Sequence, residues 1–202
     1  MVRMTQRPSL LLSAFPPEQA GLGPEAPRGW RTACTGVGAV AAAAATMRLL
    51  VAVVPARVLF VGTCGAYDPA LAVGTCLWAA EALATSQDEA EGRAFRPEIE
   101  TVRWPATWTP PLPFPAVSVA VPPGVTHGIE GCRVLGAMAA VEHLELTGVF
   151  AACHQAGVPC GAVLGVANPV GPGAHEAWKA NHARVSRDLI QKLRDLGLFE
   201  TA

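Results

Sequence analysis

Short apolar runs that stop abruptly at glycine or proline recur along this chain, with stretches of helical spacing between them. Residues 9–14 (SLLLSA) close on Phe15-Pro16-Pro17-Glu18, and residues 31–35 close on Gly36-Val37-Gly38. Residues 56–61 (ARVLFV) run straight into Gly62-Thr63-Cys64-Gly65-Ala66, which reads as a glycine turn after a strand. Residues 73–84 and 117–121 also have strand character, and residues 158–166 end at Ala167-Asn168-Pro169. Apolar runs of this length, bounded by turn residues, read as buried strands. Between them, the alanine-rich residues 39–50 read as a helix. Residues 130–138 and 144–156 read as helices too. Residues 176–196 place Val185, Leu189, Ile190, Leu193 and Leu196 on one helical face. Such alternation predicts an α/β fold, a sheet with helices on both sides.

At 202 residues the expectation is one domain spanning 1–202. Hydrophobic residues make up 51% and charged residues 15%, enough to fill a core. Five prolines between Pro105 and Pro115 rule out a helix or a central strand there. An irregular Pro-rich loop at about 105–115 is expected, with Trp104 and Trp108 near its start. It fits either a packed loop or a subunit interface. Residues 87–100 read as a polar surface excursion. The net charge of −1, without a basic cluster, argues against a nucleic-acid partner. The polar residues 1–6 and the short run at 10–12 do not form a secretory signal. The longest apolar run, 37–54, is interrupted by Arg48 and followed by Pro55. It reads as a buried helix running into a strand, not a membrane span. Six cysteines without a CxxC pair read as free thiols in a reducing cytoplasm.

Several residues could carry chemistry. Glycine turns at strand ends let backbone approach a ligand, and α/β proteins bind ligands at those ends. Glu18, just past the first strand, could activate water as a general base; a solvated carboxylate at a helix start fits as well. Glu142 and Glu145 are three apart and would share one face at the start of a helix. An ionised carboxylate only accepts hydrogen bonds and vicinal sugar hydroxyls donate them, so the pair fits a ribose; favourable helix-start charges fit equally. His143 between them reads as structural. His127, His154, His175 and His182 lack metal-ligand spacing, so no metal is expected. No GxSxG elbow is present.

Taken in order, these segments resemble the nucleoside phosphorylase/nucleosidase superfamily, from Leu10 to about Leu196, with a poor stretch at 87–115. Ala14-Phe15-Pro16-Pro17-Glu18 resembles the first strand and acid. Thr35-Gly36-Val37-Gly38 resembles the Ser/Thr-Gly-Ile-Gly turn, and Gly62-Thr63-Cys64-Gly65-Ala66 the GSxGG or GSCGA loop. Val141-Glu142-His143-Leu144-Glu145 resembles the VExMEG-type ribose motif. Ala167-Asn168-Pro169-Val170-Gly171 lies where the family has Ser-Asp or Ser-Asn. The segment from Asn168 to Pro172, with Trp178 downstream, looks nearest to futalosine hydrolase-like members.

The resemblance implies a single α/β domain around a mixed, partly closed sheet with helices on both faces. It implies that Glu145, with Glu142 beside it, binds the ribose hydroxyls, and that Leu144 packs under the sugar in place of the usual Met. Thr63, with Gly65 in the same loop, would line the sugar or anion site. Asn168 would address the purine N7, and Glu18 would orient attacking water. Glu18 and Asn168 are thus the expected catalytic residues. The family's phosphate-gripping arginines are missing: Phe15-Pro16-Pro17-Glu18 and Leu59-Phe60 occupy their places. Without an Arg clamp an anion is poorly held, so water is the expected nucleophile. The sugar becomes oxocarbenium-like as the bond breaks, which calls for a stabilised leaving base and a positioned nucleophile. Asn168 suits a 6-oxopurine better than adenine, because an amide bonds to N7 but does not protonate it. Gly173 stands where the futalosine hydrolase pattern has Arg, so a substrate other than futalosine also fits. The expected activity is an N-ribosyl hydrolase on a purine nucleoside, futalosine-like substrates included. A phosphorylase and a catalytically impaired nucleoside-binding homologue are the alternatives. No cofactor is implied, with phosphate as co-substrate only for a phosphorylase. The implied partners are a small nucleoside and other copies of the chain, as a dimer or hexamer, without nucleic acid or membrane, in the cytoplasm.

Overall fold

A computed structural model describes residues 7–199. The polar segment at residues 1–6 lies outside the described residues. Eight strands form one mixed sheet: β1 (Ser9–Ser13), β2 (Trp30–Cys34), β3 (Arg57–Ala66), β4 (Cys76–Ala84), β5 (Arg103–Pro105), β6 (Ala116–Val121), β7 (Val141–Glu142) and β8 (Cys160–Pro169). Among the described residues five helices accompany them: α1 (Ala39–Val53), α2 (Gln87–Ala90), α3 (Ile129–Gly136), α4 (Leu146–Ala156) and α5 (Ala174–Asp195). A 3-10 helix at Pro16–Leu22 follows β1.

The order β2-β1-β3-β7-β6-β4-β5 would leave an open sheet, but β8 pairs with both β3 and β4. Two routes therefore lead from β3 to β4, one through β8 and one through β7 and β6, and the sheet closes on itself. The pairs β1/β2, β1/β3, β3/β8, β4/β6 and β6/β7 are parallel, and β3/β7, β4/β5 and β4/β8 are antiparallel.

Strand side chains alternate between faces, and the core divides accordingly. Leu10, Leu12, Val58 and Phe60 pack with Ala42 and Leu50 of α1 and with Leu146, Val149 and Phe150 of α4. Leu11, Leu59 and Val61 point the other way, onto Leu189, Ile190 and Leu193 of α5. Helices thus cover both faces, as the alternation predicts.

Several local expectations are corrected. The run at 37–54 is helix as far as Val53 and does not turn into a strand. It ends with Val54 in the left-handed region (φ 49°), where its N–H reaches Leu50 O, and Pro55 prevents continuation. Nor is the helix buried all round: Val40 and Val51 are 87% and 75% exposed. Residues 62–66 are not a turn. β3 continues through them, and a bulge shifts its register against β8 between Cys64 and Gly65. The Pro-rich loop is packed: Trp108 is buried, stacks on Trp30 (centroids 6.4 Å apart) and carries the Arg57 guanidinium 4.2 Å above its ring. All six cysteines are free, with Cys34 and Cys132 only partly buried. Among the described residues, no helix is long and apolar enough to cross a membrane.

Candidate active site

The parallel strands β1, β3 and β8 end on the same side, and a cavity of about 500 Å³ opens there. Its walls include Phe15, Glu18, Val37, Thr63, Val125, Glu142, His143, Leu144, Glu145, Asn168, His175 and Trp178. Six residues expected from the sequence meet in this one cavity: Glu18, Thr63, Glu142, Leu144, Glu145 and Asn168.

Glu18 sits in the first turn of the 3-10 helix and is 3% exposed. The chain turns back on Pro16 and Pro17, which aims the carboxylate at the sheet and not at solvent. Its Oε2 accepts from Ala14 N (2.9 Å), and its Oε1 accepts from Thr63 N (2.9 Å) and Thr63 Oγ1 (3.2 Å). Burial raises its pKa from 4.5 to about 7; those hydrogen bonds oppose the shift and the nearby Glu145 adds to it. A buried carboxyl poised near neutrality can take a proton from water. Thr63 therefore bonds to Glu18, and it also accepts from Trp178 Nε1 at 3.1 Å.

Glu142 and Glu145 do not share a helix. Glu142 ends β7, and Glu145 is the residue before α4, where its side chain makes no cap hydrogen bond. The backbone at Val141–Glu142 is extended because β7 pairs with β3 and β6. Glu142 accepts from Thr126 N at 3.0 Å, and from the hydroxyls of Thr126 and Tyr67. These three donors fix the Glu142 carboxylate in the cavity wall. Glu145 Oε1 instead accepts from Gly38 N (2.8 Å) at the start of α1. A carboxylate is favoured at a helix N-terminus, so Glu145 is held across the cavity by α1 while Oε2 remains near His143 Nδ1 (3.2 Å).

Asn168 lies on β8, opposite Gly65 of β3. One amide hydrogen of Nδ2 goes to Pro169 O at 2.8 Å, which leaves one N–H and Oδ1. Gly65 does not line the cavity. A Cβ there would meet Val170 Cγ2 at 2.8 Å and Asn168 Nδ2 at 3.1 Å, so the glycine makes room for Asn168.

Trp178, part of the futalosine hydrolase-like resemblance, stands in an aromatic wall whose other members carry no role in the sequence analysis. Trp178 stacks against His182 at 4.2 Å and faces His175 and Phe15, each with centroids 5.9 Å away. On α5 the spacing of His175, Trp178 and His182 puts all three on one face, a signal the sequence carries. His143 also lines the cavity rather than only filling the core. Among the described residues, no group of three or more His, Cys, Asp or Glu side chains could hold a metal ion.

A closed mixed sheet with a carboxylate-lined cavity at its strand ends is the nucleoside phosphorylase-like fold, and the comparisons agree. Residues 32–137 match the family model described as the Phosphorylase superfamily, and the chain belongs to that superfamily. Among solved structures it is similar to 5′-methylthioadenosine/S-adenosylhomocysteine nucleosidase from Helicobacter pylori with butyl-thio-DADMe-Immucillin-A. There the identity is 17%, the coverage 94% of this chain and 97% of that one, and the TM-score 0.82. It is similar to futalosine hydrolase of Helicobacter pylori strain 26695, with 17% identity, 93% and 96% coverage and a TM-score of 0.80. It is also similar to S-adenosylhomocysteine nucleosidase from Streptococcus pyogenes in complex with 5-methylthiotubericidin, with 14% identity, 95% and 96% coverage and a TM-score of 0.77. At these identities the likeness is one of fold. No curated protein matches the chain.

Proposed function

We propose that the protein is an N-ribosyl hydrolase that cleaves the glycosidic bond of a purine nucleoside with water. One observation carries the reading: the cavity is lined by the carboxylates of Glu18, Glu142 and Glu145 and, among the described residues, by no lysine or arginine. Phosphate would enter a field of its own sign without a clamp. The start of α1, a natural anion site, already holds Glu145. The same carboxylates favour the positive charge that develops on the sugar as the bond breaks.

In this reading Glu145 accepts the ribose hydroxyls, Leu144 packs under the ring and Glu18 takes the proton of the attacking water. Asn168 offers its free N–H to a purine O6 and its Oδ1 to a protonated N7, which favours a 6-oxopurine. Thr63 holds Glu18, and Glu142 holds the wall beneath the sugar. No cofactor takes part. A substrate carboxylate, as in futalosine, meets no cation among the lining residues, so an uncharged nucleoside such as inosine is the better fit. The chain acts as one domain and as a homo-oligomer; a monomer by light scattering would remove the second part.

The test is incubation with inosine, futalosine and 5′-methylthioadenosine, with and without phosphate, following free base. Phosphate-independent release is expected, greatest with inosine. Release only with phosphate would make the protein a phosphorylase. Tight nucleoside binding without release would make it a binding homologue.

A further inference from the structure

His143 lies in the turn between β7 and α4 and is 4% exposed. Its ring stands edge-on to Phe60, with centroids 5.2 Å apart and planes at 86°. The Glu145 backbone N–H donates to its Nδ1 at 3.1 Å. A neutral imidazole carries one N–H, and with Nδ1 accepting, that hydrogen sits on Nε2. Burial pulls the ring's pKa below its ordinary value, against the attraction of Glu145, so the ring is neutral at pH 7. The approach of Glu145 Oε2 to Nδ1 is accordingly not an ion pair.

His143 and Glu18 both line the cavity, and the other ring nitrogen lies next to Gly62. A Cβ on Gly62 would lie 3.1 Å from His143 Nε2 and 3.2 Å from Glu18 Oε1. One is a donor and one an acceptor, and no hydrogen bond joins them directly. Among the described residues, Nε2 has no protein hydrogen-bond partner. A donor and an acceptor that share one neighbourhood without bonding to each other form a site that one water can bridge, at ~2.8 Å from each. A side chain larger than hydrogen at position 62 would crowd both polar atoms and the Phe60 ring, whose Cε1 lies 2.9 Å from the same Cβ position.

The geometry points to His143 as a second catalytic residue: its Nε2–H and the Glu18 carboxylate together hold the water that attacks C1′ of the nucleoside. This rests on the hydrolase reading. The water oxygen has two lone pairs. One accepts the His143 N–H; the other forms the bond to C1′ as the C1′–N bond breaks and its electron pair leaves with the base. One water proton passes to Glu18, which later yields it to the base or to solvent. His143 keeps its proton throughout. It supplies a neutral donor in a cavity lined, among the described residues, by no lysine or arginine.

Two substitutions separate this role from packing. In His143→Gln the amide N–H falls near the position of Nε2; in His143→Asn it stops short, near Nδ1. The Asn variant is expected to lose ~10- to 100-fold in kcat with KM within about twofold, as befits a hydrogen bond to the reacting water. The Gln variant is expected to keep most of the wild-type kcat. An Asn variant with wild-type kcat, or equal losses in both variants, would overturn the assignment. A crystal structure of the wild-type protein gives a readout free of turnover. An ordered water bonded to both Glu18 Oε1 and His143 Nε2 supports the proposal, and no water there overturns it. Failure of the wild type to release base from any nucleoside would sink the hydrolase reading separately, because the shared water is read from the crystal alone.

Discussion

Trp178 Nε1 donates to Thr63 Oγ1 at 3.1 Å, and this one bond ties α5 to the end of β3 inside the cavity. With a lone pair taken by the indole, the Thr63 hydroxyl is left to direct its own hydrogen at Glu18 Oε1. Trp178→Phe keeps the aromatic bulk and removes the donor. A loss of ~3- to 10-fold in kcat/KM is expected, the worth of one neutral hydrogen bond. Thr63→Val removes the hydroxyl that lowers the Glu18 pKa, so the acidic limb of the pH profile should move upward. A profile identical to wild type would separate Thr63 from Glu18.

Glu18 sets activity and stability against each other. Its pKa is about 7 in the folded protein against 4.5 for a free carboxyl, mainly through burial. The folded state therefore favours the protonated form. Its contribution to stability is full below pH 4.5 and is lost as pH rises through about 7. Activity needs the ionised form, so kcat/KM should rise over that window. Glu18→Gln is expected to cost ~10²- to 10⁴-fold in kcat. Its Tm should also fall less than that of the wild type between pH 4.5 and pH 7. Parallel melting curves for the two proteins would refute the buried carboxyl's part in stability.

Glu145→Ala should lose sugar binding, with a loss of ~10- to 100-fold in kcat/KM for removal of a charged acceptor. The Gly38 N–H also loses its partner, so a small drop in Tm is expected. Binding of the free purine base should change little. A variant with unchanged turnover would remove Glu145 from the ribose site.

Gly148 lets α4 lie directly on α1: a Cβ there would come within 2.0 Å of Ala39 O. Gly148→Ala is expected to destabilise the fold by ~2 kcal/mol or more through overpacking. Since Gly38 is the residue before α1 and holds Glu145, KM for the nucleoside should rise as well. Thermal melts and steady-state kinetics on the same sample test both, and a neutral effect on Tm would show that the helices can part.

Much of this architecture is legible in the sequence, and the exceptions have physical causes. The alternation of Leu10, Leu11 and Leu12 between two cores is a strand pattern in any setting, and the face of α5 with Leu189 and Leu193 is a helical one. Val141–Glu142 is different. Two residues carry no periodicity, and only pairing with β3 and β6 makes them a strand. The run at 51–53 is β-branched enough to suggest a strand, but α1 extends through it because Pro55 is the first residue that stops it. At the site, residue types marked Glu18, Glu145 and Asn168 as chemical. They did not show that Glu142 is occupied by Thr126 and Tyr67, because those partners lie on other elements. From sequence His143 reads as structural, because a lone histidine beside apolar residues looks the same whether its second nitrogen faces protein or a cavity.

The cation-free lining also bears on inhibitor choice. A cavity whose fixed charges are all negative ranks ligands by charge before shape. A ribose mimic with a protonated ring nitrogen should bind far more tightly than its neutral carbocyclic twin, and that preference should fade as salt is raised or as pH falls through the titration of Glu18.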